Sequence, residues 1–253
     1  MSKQHVGIAG CGPAGLAVAL FLHRLGLRVT LIDQLEVPAP VGSGFILQPT
    51  GLAVLRELGL DEIARGLAYP IDRIHGRVFP TGRTVLDVHY GALGHGIRGY
   101  ALFNTLYEAV QTAGLEVITH AKVCEVHTGA DGRPGFLTDK GNRIGPFDWA
   151  VDALGARSTL HAHCFGTADY KKLPFGALWA SLQIDDPCVM RPFNGHTLEQ
   201  VYERANRMIG VLPVGATSAT SGFYASFFWS LRADALESWR KMGLDSWKEE
   251  VIW

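Results

Sequence analysis

The residues best suited to do chemistry lie in the run Gly10-Cys11-Gly12-Pro13-Ala14-Gly15 and at Asp33, with Gln34 beside it. Glycines at this G-x-G-x-x-G spacing suit the recognition of a diphosphate. Gly10 permits a tight turn, Gly12 lets the backbone come close to a pyrophosphate, and Gly15 lets a helix approach the preceding strand. Pro13 fits an early helical position, where no N–H partner is needed. Free N–H groups around Ala14 and the positive end of the helix dipole then favour negative charge in front of the turn. Asp33, eighteen residues beyond Gly15, is placed to accept the hydroxyls of a ribose and to repel a 2′-phosphate.

Such a site needs a strand, a helix and a second strand to hold it, and the flanking sequence supplies them. His5 to Ala9 is a short apolar, β-rich run that feeds straight into the glycines. Ala14, Ala17, Val18, Phe21, Leu22 and Leu25 recur at helical spacing, and Gly26 sits where a left-handed cap would stop that helix. Leu27 to Ile32 is a second β-rich run ending at Asp33. An isolated glycine motif is weak, but strand, helix and acid in register give the context of a dinucleotide-binding βαβ unit. The motif by itself does not separate one dinucleotide from another.

Composition narrows the remaining classes. At 253 residues the chain has ample length for a core, in one large domain or two smaller ones. Its 23 Lys+Arg against 24 Asp+Glu leave a net charge of -1, so no field draws in nucleic acid. No apolar run approaches the roughly 20 residues that span a bilayer, and residues 1–5 lack the order of a signal peptide, which points to a cytoplasmic protein. Cys11, Cys124, Cys164 and Cys188 are scattered without a C-x-x-C, and His161-Ala162-His163 is the only close histidine pair, so no metal site is expected. Gly-x-Ser-x-Gly is absent and spacing singles out no catalytic acid, base or nucleophile. Oligomeric state is left open.

Beyond Asp33 the pattern changes. Ile71 to Phe79 alternates apolar and polar residues, turns at Pro80-Thr81-Gly82 and resumes from Arg83 to Val88, the signature of a hairpin. Gly114 to Ile118, Lys122 to Val126 and Trp149 to Leu154 read as strands, as do Phe175 to Ile184, Thr197 to Arg204, Met208 to Pro213 and Gly222 to Leu231. A plain NAD-linked dehydrogenase would instead continue in parallel βα units. Ala233 to Gly243 and Ser246 to Trp253 read as a helix, a turn and the start of another helix. The aromatic residues Phe175, Trp179, Tyr224, Phe227, Phe228 and Trp229 suit core packing first and the lining of an apolar pocket second.

These pieces occur in an order that resembles the class A flavoprotein monooxygenases, relatives of para-hydroxybenzoate hydroxylase. The segment VPAPVGSGFILQPTGLAVLRELGL, Val37 to Leu60, is similar to the family's glycine-rich loop, strand, proline and helix, at Gly42, Gly44, Ile46, Leu47, Pro49, Leu55, Leu58 and Gly59. Arg98-Gly99-Tyr100-Ala101-Leu102 looks like the arginine that precedes a helix and reaches the cofactor, with one extra residue in the spacing. Asp152-Ala153-Leu154-Gly155-Ala156-Arg157-Ser158 is similar to the family's Gly-Ala-Asp-Gly-x-x-Ser element. Gly155, Arg157 and Ser158 match, while Leu154 replaces the aspartate and Asp152 the first glycine.

The resemblance implies an α/β fold: a Rossmann-like FAD-binding domain of residues 1–70 and 91–170, with an inserted, mostly antiparallel substrate-region sheet of 71–90 and 171–232. Residues 233–253 would begin an incomplete C-terminal helical segment, because no Gly-Asp dipeptide, the element that follows in the family, occurs in the chain. It implies FAD as cofactor, held by Gly10, Gly12, Pro13, Ala14, Gly15, Asp33, Gln34, Arg98, Gly155 and, through backbone groups beside the adenine, Val123. NAD(P)H would be the transient electron donor, and an aromatic or apolar small molecule would be hydroxylated with O2. The loss of the aspartate at Leu154 and the missing Gly-Asp element favour a competing expectation, a truncated or degenerate FAD- or ADP-binding fragment without turnover of its own.

Overall fold

The computed structural model describes residues 3–36, 43–161, 171, 173–186, 196–204, 207–216 and 222–251. Gly42, His163, Cys164 and Cys188 lie outside the described residues. The strands are β1 His5–Ala9, β2 Arg28–Ile32, β3 Gly44–Leu47, β4 Tyr69–Val78, β5 Thr84–Arg98, β6 Glu116–Ile118, β7 Val123–Thr128, β8 Pro134–Thr138, β9 Arg143–Ile144, β10 Trp149–Asp152, β11 Phe175–Ile184, β12 Thr197–Glu203, β13 Arg207–Gly215 and β14 Phe223–Arg232. The helices are α1 Pro13–Arg24, α2 Pro49–Glu57, α3 Asp61–Leu67, α4 Gly99–Thr112, α5 Leu236–Met242 and α6 Leu244–Val251. The chain packs as two units, the first of residues 1–42, 50–67 and 99–169, the second of 43–49, 68–98 and 170–253.

In the first unit, β10-β1-β2-β6 form a four-stranded sheet whose pairs are all parallel. Val6, Ile8, Ala9, Val29, Leu31 and Ile32 are buried, as strands covered on both faces must be. The helix α1 begins at Pro13 and ends as the glycine signal requires. Gly26 takes φ +82°, its N–H bonds the carbonyl of His23, and the N–H of Leu27 bonds that of Leu22, the paired closure of a Schellman cap. A three-stranded antiparallel sheet, β7-β8-β9, packs its Val123 and Phe136 with Ala9, Ile32, Phe147 and Leu160 into one core. Phe147 fills the space above Gly7, where any Cβ would lie 2.4 Å from its ring.

The second unit is a seven-stranded sheet in the order β11-β14-β13-β12-β4-β5-β3, antiparallel except for the parallel pair β12 with β4. Ile71, Leu198, Leu212, Val214 and Phe228 make its core. The strand β5 runs on to Arg98, ten residues past the end expected at Val88. Its second half is rich in glycine, which weakens a strand pattern but is needed here, since a Cβ on Gly96 would fall 1.9 Å from the carbonyl oxygen of Pro213. Consequently β3, expected with residues 1–70, pairs with β5 in the second unit. Of the aromatics, Phe228 and Trp229 are buried, whereas Phe175 and Trp179 stand exposed on the edge strand β11. Trp247 of α6 packs edge-to-face on Phe227, Trp229 and Trp239 at 6.0, 5.7 and 6.0 Å.

Candidate functional site

The parallel strands of the first unit end at Ala9, Ile32 and Asp152, and beyond their carboxyl ends lies a cavity of about 610 Å³. The strand order places β1 between β2 and β10, so the crevice sits where the chain leaves in opposite directions, the usual ligand position in an open α/β sheet. Gly12, Pro13 and Ala14 form one wall, Asp33 and Gln34 a second, Val123 a third, and the turn from Ala153 to Gly155 a fourth.

The three glycines of the turn have different surroundings. Gly10, at φ +107°, passes so close to β10 that a Cβ would be 2.5 Å from the Ala153 carbonyl oxygen, and one on Gly15 would be 2.0 Å from the Gly10 oxygen. Gly12 alone faces open space, with no atom within 4 Å of its missing Cβ. It is the N-cap of α1, extended at φ −68° and ψ 171°, with no side-chain cap and no acid in the first turn. The N–H groups of Gly12, Ala14 and Gly15 make no hydrogen bond among the described residues. Unpaired donors at a helix start, over a cradle that only glycine leaves vacant, fit a diphosphate.

Asp33 closes the other side of this turn. Its Oδ2 accepts the N–H of Cys11 at 2.8 Å and its Oδ1 that of Leu35 at 2.9 Å, which fixes the carboxylate and leaves each oxygen a lone pair for a sugar hydroxyl. The Cys11 thiol between them is pushed up to about 12 by burial and, secondarily, by the Asp33 charge. A protonated, buried thiol packs as a small apolar group. Val123 is buried at the start of β7 and its carbonyl accepts the Thr159 hydroxyl at 3.4 Å.

The turn after β10 departs most from expectation. Leu154 packs against the apolar core of the unit. Asp152, two positions earlier, accepts the Leu154 N–H at 3.0 Å and the Ser158 hydroxyl at 2.5 Å, and Ser158 Oγ in turn accepts the Leu160 N–H at 3.0 Å. Gly155, at φ +78°, opens the single 3₁₀ turn Gly155–Arg157 between these anchors. Arg98 ends β5 in the second unit, its guanidinium carbon 4.2 Å from the ring centroid of Tyr224, and is not part of the cavity wall. Lys122, Arg157 and Thr159 also line the cavity; Arg157 had a signal only as a match to the family element, and Lys122 and Thr159 had none, because exposed polar residues in loops carry no periodicity.

A second cavity, of about 590 Å³, lies at the amino ends of the same strands among Lys3, His5, Arg28, Glu116, Arg133 and Asp148. Its charges pair with one another, Arg28 with Glu116 at 3.5 Å and Arg133 with Asp148 at 3.1 Å. Among the described residues no cluster of three His, Cys, Asp or Glu side chains is placed to hold a metal, and no helix is long and apolar enough to cross a membrane.

Known proteins resemble this chain in sequence and in fold. Residues 3–239 match the family model described as FAD binding domain. The chain is 29% identical over 172 residues to 3-hydroxybenzoate 6-hydroxylase of Klebsiella oxytoca, covering 63% of this chain and 42% of that protein. It is 33% identical over 161 residues to the FAD-dependent monooxygenase pytG of Aspergillus terreus, covering 60% and 47%. The chain thus spans less than half the length of these curated relatives. The fold is that of 2,6-dihydroxypyridine-3-hydroxylase from Arthrobacter nicotinovorans, with TM-score 0.76 at 17% identity over 91% of this chain and 57% of that one.

Proposed function

Because the chain belongs to the FAD-binding domain family of flavoprotein monooxygenases, we propose that it works as the FAD-holding and substrate-region part of an NAD(P)H- and O2-dependent hydroxylase acting on a small aromatic molecule. The observation that carries this reading is the pair of unpaired N–H groups at Gly12 and Ala14, on residues lining a cavity that Asp33 also lines. In it, those donors hold the diphosphate, Asp33 and Gln34 take the ribose, and the backbone of Val123 meets the adenine. Gly155 lets the opposite wall come close. FAD, when bound, supplies the redox and oxygen chemistry that side chains cannot. The protein's part is to bind, orient and exclude water. The name of one relative, 3-hydroxybenzoate 6-hydroxylase, supports an aromatic substrate.

The test has two stages. Titration of the purified protein with FAD should develop a bound-flavin visible spectrum at one equivalent, and hydroxylated aromatics should then stimulate NAD(P)H consumption. Absence of any flavin binding would overturn the whole reading. Binding without stimulated consumption by any aromatic would remove the hydroxylase and leave the cofactor site.

A further inference from the structure

We infer that Asp152 is a positioning residue for the cofactor: with Ser158 it staples the turn of residues 153–159 into the shape that makes one wall of the FAD cavity. This rests on the FAD reading above and adds a residue that touches no part of the cavity itself. Ala153, Leu154, Gly155, Arg157 and Thr159 line that space, and Asp152 does not. What Asp152 does is close a ring of contacts around them. Its Oδ1 accepts the Leu154 N–H at 3.0 Å, its Oδ2 accepts the Ser158 hydroxyl at 2.5 Å, and Ser158 Oγ accepts the Leu160 N–H at 3.0 Å. The carboxylate and hydroxyl therefore tie the start of the turn to its end across six residues, from Asp152 to Ser158.

The position of this turn matters because its other ties are few: Leu154 packs on the unit's core, and the Thr159 hydroxyl donates to the Val123 carbonyl at 3.4 Å. Ala153 bonds back to β1 through its N–H to the Ala9 carbonyl at 2.9 Å, and Ser158 N–H bonds the Gly155 carbonyl at 3.0 Å. Gly155, Ala156 and Arg157 are exposed. Meanwhile the Ala153 carbonyl lies against Gly10, where not even a methyl group would fit. A turn that swings by an ångström moves the floor under the diphosphate cradle. Hydrogen bonds to a charged acceptor are the strong kind, and two of them from one carboxylate define both ends of a loop. Replacement of the family's aspartate by Leu154 thus does not leave the element without a carboxylate. The organising group stands two residues upstream, on the last residue of β10, and acts through the backbone.

The experiment compares wild type, Asp152→Ala, Asp152→Asn, Ser158→Ala and the double variant Asp152→Ala with Ser158→Ala. Three readouts are needed: FAD dissociation constant by fluorescence titration, amide hydrogen exchange of residues 154–160 in the FAD-free protein, and thermal midpoint. Asp152→Ala should weaken FAD binding about tenfold, the loss expected for hydrogen bonds to a charged group. It should speed exchange at the Leu154 and Leu160 amides by a similar factor while the β1 and β2 amides keep their protection. Asp152→Asn, which retains one acceptor, should lose less, and Ser158→Ala should add little in the Asp152→Ala background. If Asp152→Ala unfolds, Asp152→Asn and Ser158→Ala carry the test with smaller changes in the same direction. A fall in thermal midpoint with FAD affinity within twofold of wild type would overturn the inference, as would unchanged exchange across 154–160. Should wild type bind no FAD, the cofactor reading fails by that result alone, and the exchange data still decide whether the staple holds the turn.

Discussion

At the scale of single residues, the three turn glycines separate cofactor binding from folding. Gly12→Ala introduces a methyl group into open space at an ordinary φ, so stability should change by no more than about 1 kcal/mol. FAD affinity should fall by at least roughly tenfold, since that methyl occupies the diphosphate cradle. Gly15→Ala meets the Gly10 oxygen instead and should cost about 1–3 kcal/mol of stability before any ligand is added. Denaturant melts with and without FAD check both, and the outcome that counts against the assignment is a Gly12→Ala protein that binds FAD as wild type does. Cys11 gives a second, pH-dependent prediction. An unfolded thiol loses its proton near 9.0, whereas the folded one keeps it to about 12. The folded state therefore holds more protons in that window, so the contribution is intact below about pH 9 and is lost as pH rises toward 12, with a slope approaching about 1.4 kcal/mol per pH unit. Cys11→Ala should flatten the difference in an alkaline stability series.

At the scale of elements, the first βαβ unit was legible because glycine spacing, helical periodicity and two β-branched runs all agree from His5 to Asp33. The turn after β10 was not. Read as a motif, Leu154 is a lost aspartate; in the fold it is partly buried and packs against the unit's apolar core. Restoring an aspartate by Leu154→Asp should therefore not improve the site but cost on the order of 1–3 kcal/mol, the penalty of a polar group turned toward an apolar core. A Tm equal to or above that of wild type would contradict this packing. Sequence likewise gave no hint of the long second half of β5, because close backbone approach selects glycine, the residue that strand patterns count against. Nor was the capture of Arg98 by Tyr224 readable, since a cation–π contact between positions so far apart in the chain leaves no periodic trace.

At the scale of the whole molecule, two units with separate cores divide the work proposed for the protein: residues 1–42, 50–67 and 99–169 carry the cavity, and the seven-stranded sheet is built from the rest. FAD at a hundred times its dissociation constant should stabilise the native state by about 2.7 kcal/mol, and ADP should reproduce a measurable part of that, because the cavity is assigned to the ADP half. Calorimetry with each ligand checks this; equal protection by riboflavin would place the binding elsewhere. The parallel neighbours of β1 come from opposite ends of its unit's sequence, β2 at residues 28–32 and β10 at 149–152. During synthesis, then, the nascent glycine turn emerges from the ribosome with half its pocket missing, and roughly 120 further residues must follow before β10 docks. Until that moment β1 offers an unpaired edge of apolar strand, so the interval in which a chaperone would be needed is set by the position of one late strand.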